Sequence, residues 1–169
     1  MDKLRIILTR WGFSWQGIIN NKKGEWWLFA QILLIAAHLI PQWPSQDALN
    51  FVWPPLLLLL GIGLIIRGIF LATMSVIKLG SSLTPLPSPM DGSLLKIEGP
   101  YKYSRHPLYK SIILISLGQT IALGSLIHCL LLFTLATLLI YKAKTEEKEL
   151  IKLHSRYQDY MENTPAIFK

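Results

Sequence analysis

The sequence predicts an all-α integral membrane protein: about four transmembrane helices, an N-terminal interfacial helix and a C-terminal amphipathic helix. Three observations predict it. The 169 residues are 51% hydrophobic and 16% charged, with a mean hydropathy of +0.39, too apolar for an ordinary soluble domain of this size. Long uncharged runs are punctuated by proline and glycine. The lysines and arginines fall in alternate connecting segments. Residues 1–25 carry five, the 41–54 loop none, 78–110 five, the turn at Gly124 none, and 142–169 six; Arg67 completes the seventeen. By the positive-inside rule this places both termini in the cytoplasm. It also distributes the net charge of +7 along one membrane face, so no nucleic-acid partner is expected.

The elements follow in order. In 2–19, Leu4, Ile7, Leu8, Trp11, Trp15 and Ile18 recur at helical spacing, opposite Asp2, Lys3, Arg5, Thr9 and Arg10. Such a helix can lie on a membrane surface or pack on the bundle. The apolar stretch after Lys3 and Arg5 stops at Thr9-Arg10, so a secretory signal is not expected. The run 26–40 has no charge and stops at Pro41. With its flanks it reaches the roughly 20 residues of a span, and Trp26, Trp27 and Trp43 form an aromatic belt. The second span is 55–77, opened by Pro54-Pro55. The run 107–141 is too long for one span. Gly124-Ser125 divides it into spans 107–123 and 125–141, a tight hairpin. The chain thus divides into an N-terminal amphipathic segment 1–25, a bundle 26–141 with a proline-rich loop 78–106, and a C-terminal helix and tail 142–169. In the tail, Leu150, Leu153, Tyr157, Tyr160 and Met161 form a helical stripe over 145–161.

Chemistry concentrates in two polar clusters that bracket the hairpin and therefore share one face of the bilayer. The first is Gly99-Pro100-Tyr101-Lys102-Tyr103-Ser104-Arg105-His106-Pro107-Leu108-Tyr109. Pro107 sets a helix start that Ser104 can cap. The free N–H groups of that first turn attract an anion. Arg105 and Tyr109 are four apart, His106 and Tyr109 three, so guanidinium, imidazole and phenol converge there. The plain alternative is a snorkelling arginine, a capping histidine and a belt tyrosine. The second cluster is Glu146-Glu147. Helical neighbours diverge by about 100°, so one faces a partner and the other does not; a solvated surface beside Lys142 and Lys144 is the alternative. Arg67 sits mid-span, where a charge costs at least ~2.5–3.5 kcal/mol, so it is expected to point into the bundle. It would orient an anionic group there, or pair with Gln119 or a carbonyl, or snorkel. His38 and His128 read as interior hydrogen-bonding residues, and Asp91 and Glu98 as loop caps. Cys129 is the sole cysteine, so disulfide frameworks and cysteine-rich metal sites are excluded and no metal is expected.

Leu79-Gly80, Leu83-Thr84-Pro85-Leu86-Pro87, the Gly99–Tyr109 cluster, Glu146-Glu147, Tyr157, Tyr160 and Pro165 together resemble the isoprenylcysteine carboxyl methyltransferase and phospholipid N-methyltransferase superfamily. The resemblance covers roughly residues 54–168. One departure is Ser111, where the family often has glycine; serine is small enough to keep close packing. The resemblance implies a membrane-embedded methyltransferase that uses S-adenosyl-L-methionine on a lipidic or small hydrophobic acceptor. It also implies a cofactor site between the two clusters, capped by the tail. The cofactor-binding residues expected are Tyr101, Tyr103, Arg105, His106, Pro107, Tyr109, Glu146 and Glu147, and the catalytic ones Arg67 and Arg105. A glutamate, with Glu147 the first expectation, takes the cofactor's ammonium. Arg105 or the helix start takes its carboxylate, and tyrosine faces lie near sulfonium or adenine. Methyl transfer needs positioning more than acid–base groups, so the lack of a triad is no objection. Two alternatives are an NADPH-dependent sterol-type membrane reductase and a non-catalytic membrane assembly factor. Leu108 and Lys110-Ser111 depart from the reductases, which tend to have Asn and Phe-Gly there, and the intact pair of clusters argues against a decayed site.

Overall fold

Proline, glycine and small residues decide where these helices start, cross and stop. The computed structural model describes residues 15–50, 52–89 and 92–168. Within them run α1 Trp15–Asn20, α2 Glu25–Ala37, α3 Pro55–Leu79, α4 Pro107–Leu123, α5 Leu126–Leu153 and α6 Tyr157–Asn163, with three short 3-10 turns and no strand. Most of the expected 2–19 helix lies outside the described residues, as does Asp91.

α3 starts at Pro55, as expected, and stops where Gly80 takes a positive φ of 53°. Its buried residues are Gly61, Gly68 and Ser75, seven apart, and this stripe packs on α4. A Cβ on Gly61 would lie 2.4 Å from the Gly118 carbonyl oxygen, and one on Gly68 2.6 Å from Ile115 Cγ1. Small residues let membrane helices approach this closely. Leu59, Ile62, Ile66 and Phe70 face outward. Only 11% of the most apolar window of this helix is buried. The core helix of a soluble protein would be mostly enclosed; this surface suits lipid.

Arg67 is exposed, which corrects the expectation that it points into the bundle. Gly68 must face α4, and its neighbour is turned about 100° away from that contact. Gln119, a partner considered for Arg67, donates instead to the His38 carbonyl at 2.6 Å.

Two helices, α3 and α5, are long and apolar enough to cross a membrane; α2 and α4 are apolar but shorter. α2 has 13 residues, about 20 Å. It ends before the expected 40 because residues 38–40 turn ahead of Pro41. α5 runs unbroken for 28 residues, so the expected boundary at 141–142 lies inside one helix. The expected 145–161 helix is split by an extended His154 between α5 and α6. Residues 142–153 contain no glycine or proline, so an already nucleated helix continues through them.

The connecting segments sort into two ends. At one, Trp43 N–H donates to Ser125 Oγ at 3.1 Å. There too the Trp53 indole packs so close to Gly124 that a Cβ there would lie 2.4 Å from it; these segments, 41–54 and 124–125, carry no lysine or arginine. At the other end lie Gly24 against Pro87, the 78–106 loop and the tail. The candidate site is at this basic end.

Candidate functional site

The first cluster is held by the tail. Tyr101 is buried in the 3-10 turn Gly99–Lys102. Arg105 N–H donates to the Pro165 carbonyl and His106 N–H to the Ala166 carbonyl, each at 2.9 Å. Ser104 does not cap α4: its hydroxyl donates to the Ala166 carbonyl at 2.9 Å. His106 is the N-cap residue, without a side-chain capping bond. Ile167 is buried with Ile113, Leu135, Leu139 and Ala143, so apolar packing anchors the strap.

The two clusters meet. Arg105 Nε donates to Glu147 Oε1 at 2.8 Å. Its Nη1 donates to the Met161 carbonyl at 2.9 Å and to the Thr164 carbonyl. His106 Nε2 lies 3.0 Å from Glu147 Oε1, and its Nδ1 3.7 Å from Glu146 Oε2. The Tyr109 hydroxyl donates to Glu146 Oε2 at 2.8 Å, and the ring stacks parallel to His106, centroids 5.2 Å apart. The glutamates thus divide their work. Glu147 is consumed by Arg105 and His106, whereas Glu146 lines the cleft. This reverses the first expectation, for Glu147; spacing alone could not choose between neighbours on a helix.

Lys142 is 1% exposed, not part of a solvated surface. Its Nζ donates to Gln31 Oε1 at 2.7 Å and to the Pro85 carbonyl at 3.0 Å, and lies 5.4 Å from the Tyr109 ring centroid. It pins α2 and the proline loop behind the Tyr109–Glu146 wall. Its position four residues before Glu146, on the same helix face, was the available signal; nothing in the sequence marked Gln31 as its partner.

The cleft is partly open and holds about 110 Å³, below the roughly 300–1,000 Å³ of drug-sized ligand sites. Tyr101, Leu108, Tyr109, Glu146, Tyr157 and Tyr160 line it, together with Ser82, Thr84, Leu94, Leu95 and Lys96 of the 78–106 loop. Leu108 and Tyr109 stand in the first turn of α4, where their N–H groups have no partner carbonyl within the helix. The Tyr160 hydroxyl donates to the Tyr101 carbonyl. The Tyr157 hydroxyl is buried without a partner among the described residues. Burial pushes the Tyr101 and Tyr157 hydroxyls well above the ordinary phenol range, and Tyr160 up to about 12, so all three keep their protons at neutral pH.

The cleft therefore gathers Tyr101, Arg105, His106, Pro107, Tyr109 and Glu146, with Glu147 directly behind. It does not gather Tyr103, which is 72% exposed. One residue past a 3-10 turn that directs Tyr101 inward, it projects outward. Arg67 is not in its lining either. Glu98 is no side-chain cap; it pairs with Lys78 at 3.3 Å. In the sequence Tyr157 and Tyr160 belong to the tail stripe and to the family resemblance but not to the expected cofactor-binding residues, because their approach to the cleft depends on the break at His154.

A family model described as phospholipid methyltransferase matches residues 56–157, from the first turn of α3 to the first residue of α6. No curated protein matches the chain.

Proposed function

The chain belongs to the phospholipid methyltransferase family, and from that premise we propose a membrane-embedded enzyme that transfers a methyl group from S-adenosyl-L-methionine to a lipidic or small hydrophobic acceptor. The observation that carries this reading is the Glu146 carboxylate on the cleft wall, beside an α-helix N-terminus and an unsatisfied tyrosine hydroxyl. Those donor and acceptor types suit a cofactor whose amino-acid end bears one cation and one anion. When bound, it supplies an electrophilic methyl group; the acceptor's lone pair forms the new bond while the old bonding pair stays on sulfur.

The chain's residues supply positioning. Glu146 pairs with the cofactor's ammonium. The N–H groups of Leu108 and Tyr109 favour its carboxylate. The faces of Tyr101 and Tyr109 suit the sulfonium or the adenine. Arg105 is a positioning residue rather than a catalytic one: its guanidinium locks Glu147 and the tail backbone in place. His106 holds Glu147 and stacks on Tyr109, which keeps the phenol aimed at Glu146.

The proposal includes four spans with both termini cytoplasmic. It rests on the sorting of basic segments to the site end and segments without lysine or arginine to the other. The acceptor then enters from the bilayer past Leu94 and Leu95, and the cofactor from the cytoplasm.

Calorimetry in detergent with S-adenosylhomocysteine tests the reading. Wild type should bind, and Glu146→Gln should bind at least tenfold more weakly. If wild type binds NADPH instead, the reductase reading replaces this one; if it binds neither, the non-catalytic reading does.

A further inference from the structure

Two buried side-chain oxygens have no partner among the described residues, Glu25 Oε1 and the Tyr157 hydroxyl. Glu25 lies away from the cleft, and its other oxygen accepts from Lys23 N–H at 2.9 Å. Tyr157 is different: it is 1% exposed and lines the cleft. An enclosed hydroxyl that has given up water without gaining a partner is unfavourable.

The polar groups around it are already engaged. The Tyr160 hydroxyl is held by Tyr101, the Tyr109 hydroxyl by Glu146, and Arg105 by Glu147 and the tail backbone. The Tyr157 ring meets Tyr160 edge-on, centroids 5.8 Å apart. Burial first, and the nearby negative charge of Glu147 second, keep the phenol protonated, so it offers a hydrogen to an acceptor. An acceptor entering beside two carboxylates must bring its own cation. The amino-acid end of the cofactor does so, carrying a carboxylate next to the ammonium that Glu146 takes.

We infer that the Tyr157 hydroxyl donates to the α-carboxylate of the bound cofactor. This rests on the S-adenosylmethionine reading above.

The test uses the full-length protein in detergent, titrated with S-adenosylhomocysteine and with 5′-methylthioadenosine, which keeps the adenosine but lacks the amino-acid end. Tyr157→Phe should weaken S-adenosylhomocysteine at least tenfold and leave 5′-methylthioadenosine unchanged. Without ligand, Tyr157→Phe should unfold at a temperature no lower than wild type, because it deletes an unsatisfied atom. Tyr160→Phe should unfold lower, because it deletes a made bond. Equal S-adenosylhomocysteine affinity in wild type and Tyr157→Phe overturns the inference while leaving the cofactor reading intact. So does equal weakening of both ligands, or a lower unfolding temperature for unliganded Tyr157→Phe. Absence of S-adenosylhomocysteine binding to wild type overturns the cofactor reading itself, and this inference with it.

Discussion

Each end of the bundle buries a polar network around histidine, and the two differ in charge and closure. At the end without lysine or arginine, His38 Nδ1–H donates to the Leu34 carbonyl at 2.8 Å, and Nε2 lies 2.6 Å from the Ser116 hydroxyl. His128 Nε2 lies 3.2 Å from the His38 carbonyl oxygen, and its Nδ1 2.9 Å from the Ser125 hydroxyl. Both rings use both nitrogens. At the basic end, Arg105, His106, Glu146 and Glu147 form a charged network beside an open cleft, where one hydroxyl is left over. The difference teaches how to read buried polarity in a membrane protein. A network that closes on itself joins helices, whereas one that ends at an opening with an atom to spare is built for a ligand.

The largest way to break the comparison is at the charged end. Arg105→Ala leaves the Glu147 carboxylate nearly enclosed with its main cation gone and releases the tail. It should cost about 3–5 kcal/mol, the usual loss when one partner of a buried ion pair is removed. Thermal unfolding in detergent and limited proteolysis of the tail measure it; a fully stable Arg105→Ala protein would mean that Ile167 packing and the bonds to the Pro165 and Ala166 carbonyls hold the strap without the guanidinium.

A smaller effect sharpens the comparison from the other side. His128→Ala removes contacts between α5, α2 and the 124–125 turn. Interhelical polar contacts in membranes are worth ~0.6 kcal/mol on average and ~1.7 at most, so a loss of about 1 kcal/mol in stability is expected. S-adenosylhomocysteine affinity should stay within twofold of wild type. A tenfold loss of affinity would show that the closed network is coupled to the cleft.

The smallest effect belongs to Arg67. The charge is exposed and outside the cleft lining, so Arg67→Leu should change folded stability by no more than about 0.5 kcal/mol and leave cofactor affinity and turnover as they were. Membrane insertion should improve, because the centre of α3 loses its one charge. Tenfold lower turnover in a well-folded Arg67→Leu protein would restore the catalytic role first expected of it.

Legibility differed by element for physical reasons. Pro55, Pro107 and Gly124 act within a turn of themselves, so the starts of α3 and α4 and the hairpin at 124 were read where they stand. The continuation of α5 past 141 was missed, because apolarity ends there but helix propensity does not. Ser104 was assigned to a local cap, yet its partner, Ala166, lies sixty-two residues away. Tyr103 and Tyr101 are chemically alike and two apart; the 3-10 turn at Gly99–Lys102 buries one and exposes the other.

What the sequence determined by itself was the helical class, the apolar surface, the pairing of two polar clusters across a hairpin and the family. Composition, helical periodicity and spacing carry the first three along the chain, and the likeness of its motifs to known proteins carries the family. Tertiary structure alone decided which glutamate faces the cleft, that Arg67 turns away from α4, that Lys142 is buried, and that the tail places Tyr157 in the wall. Each depends on the rotation of one helix about its axis or on a partner dozens of residues away. Close approach at Gly61 and Gly68 sets the first, and the Arg105–Glu147–tail contacts select the second.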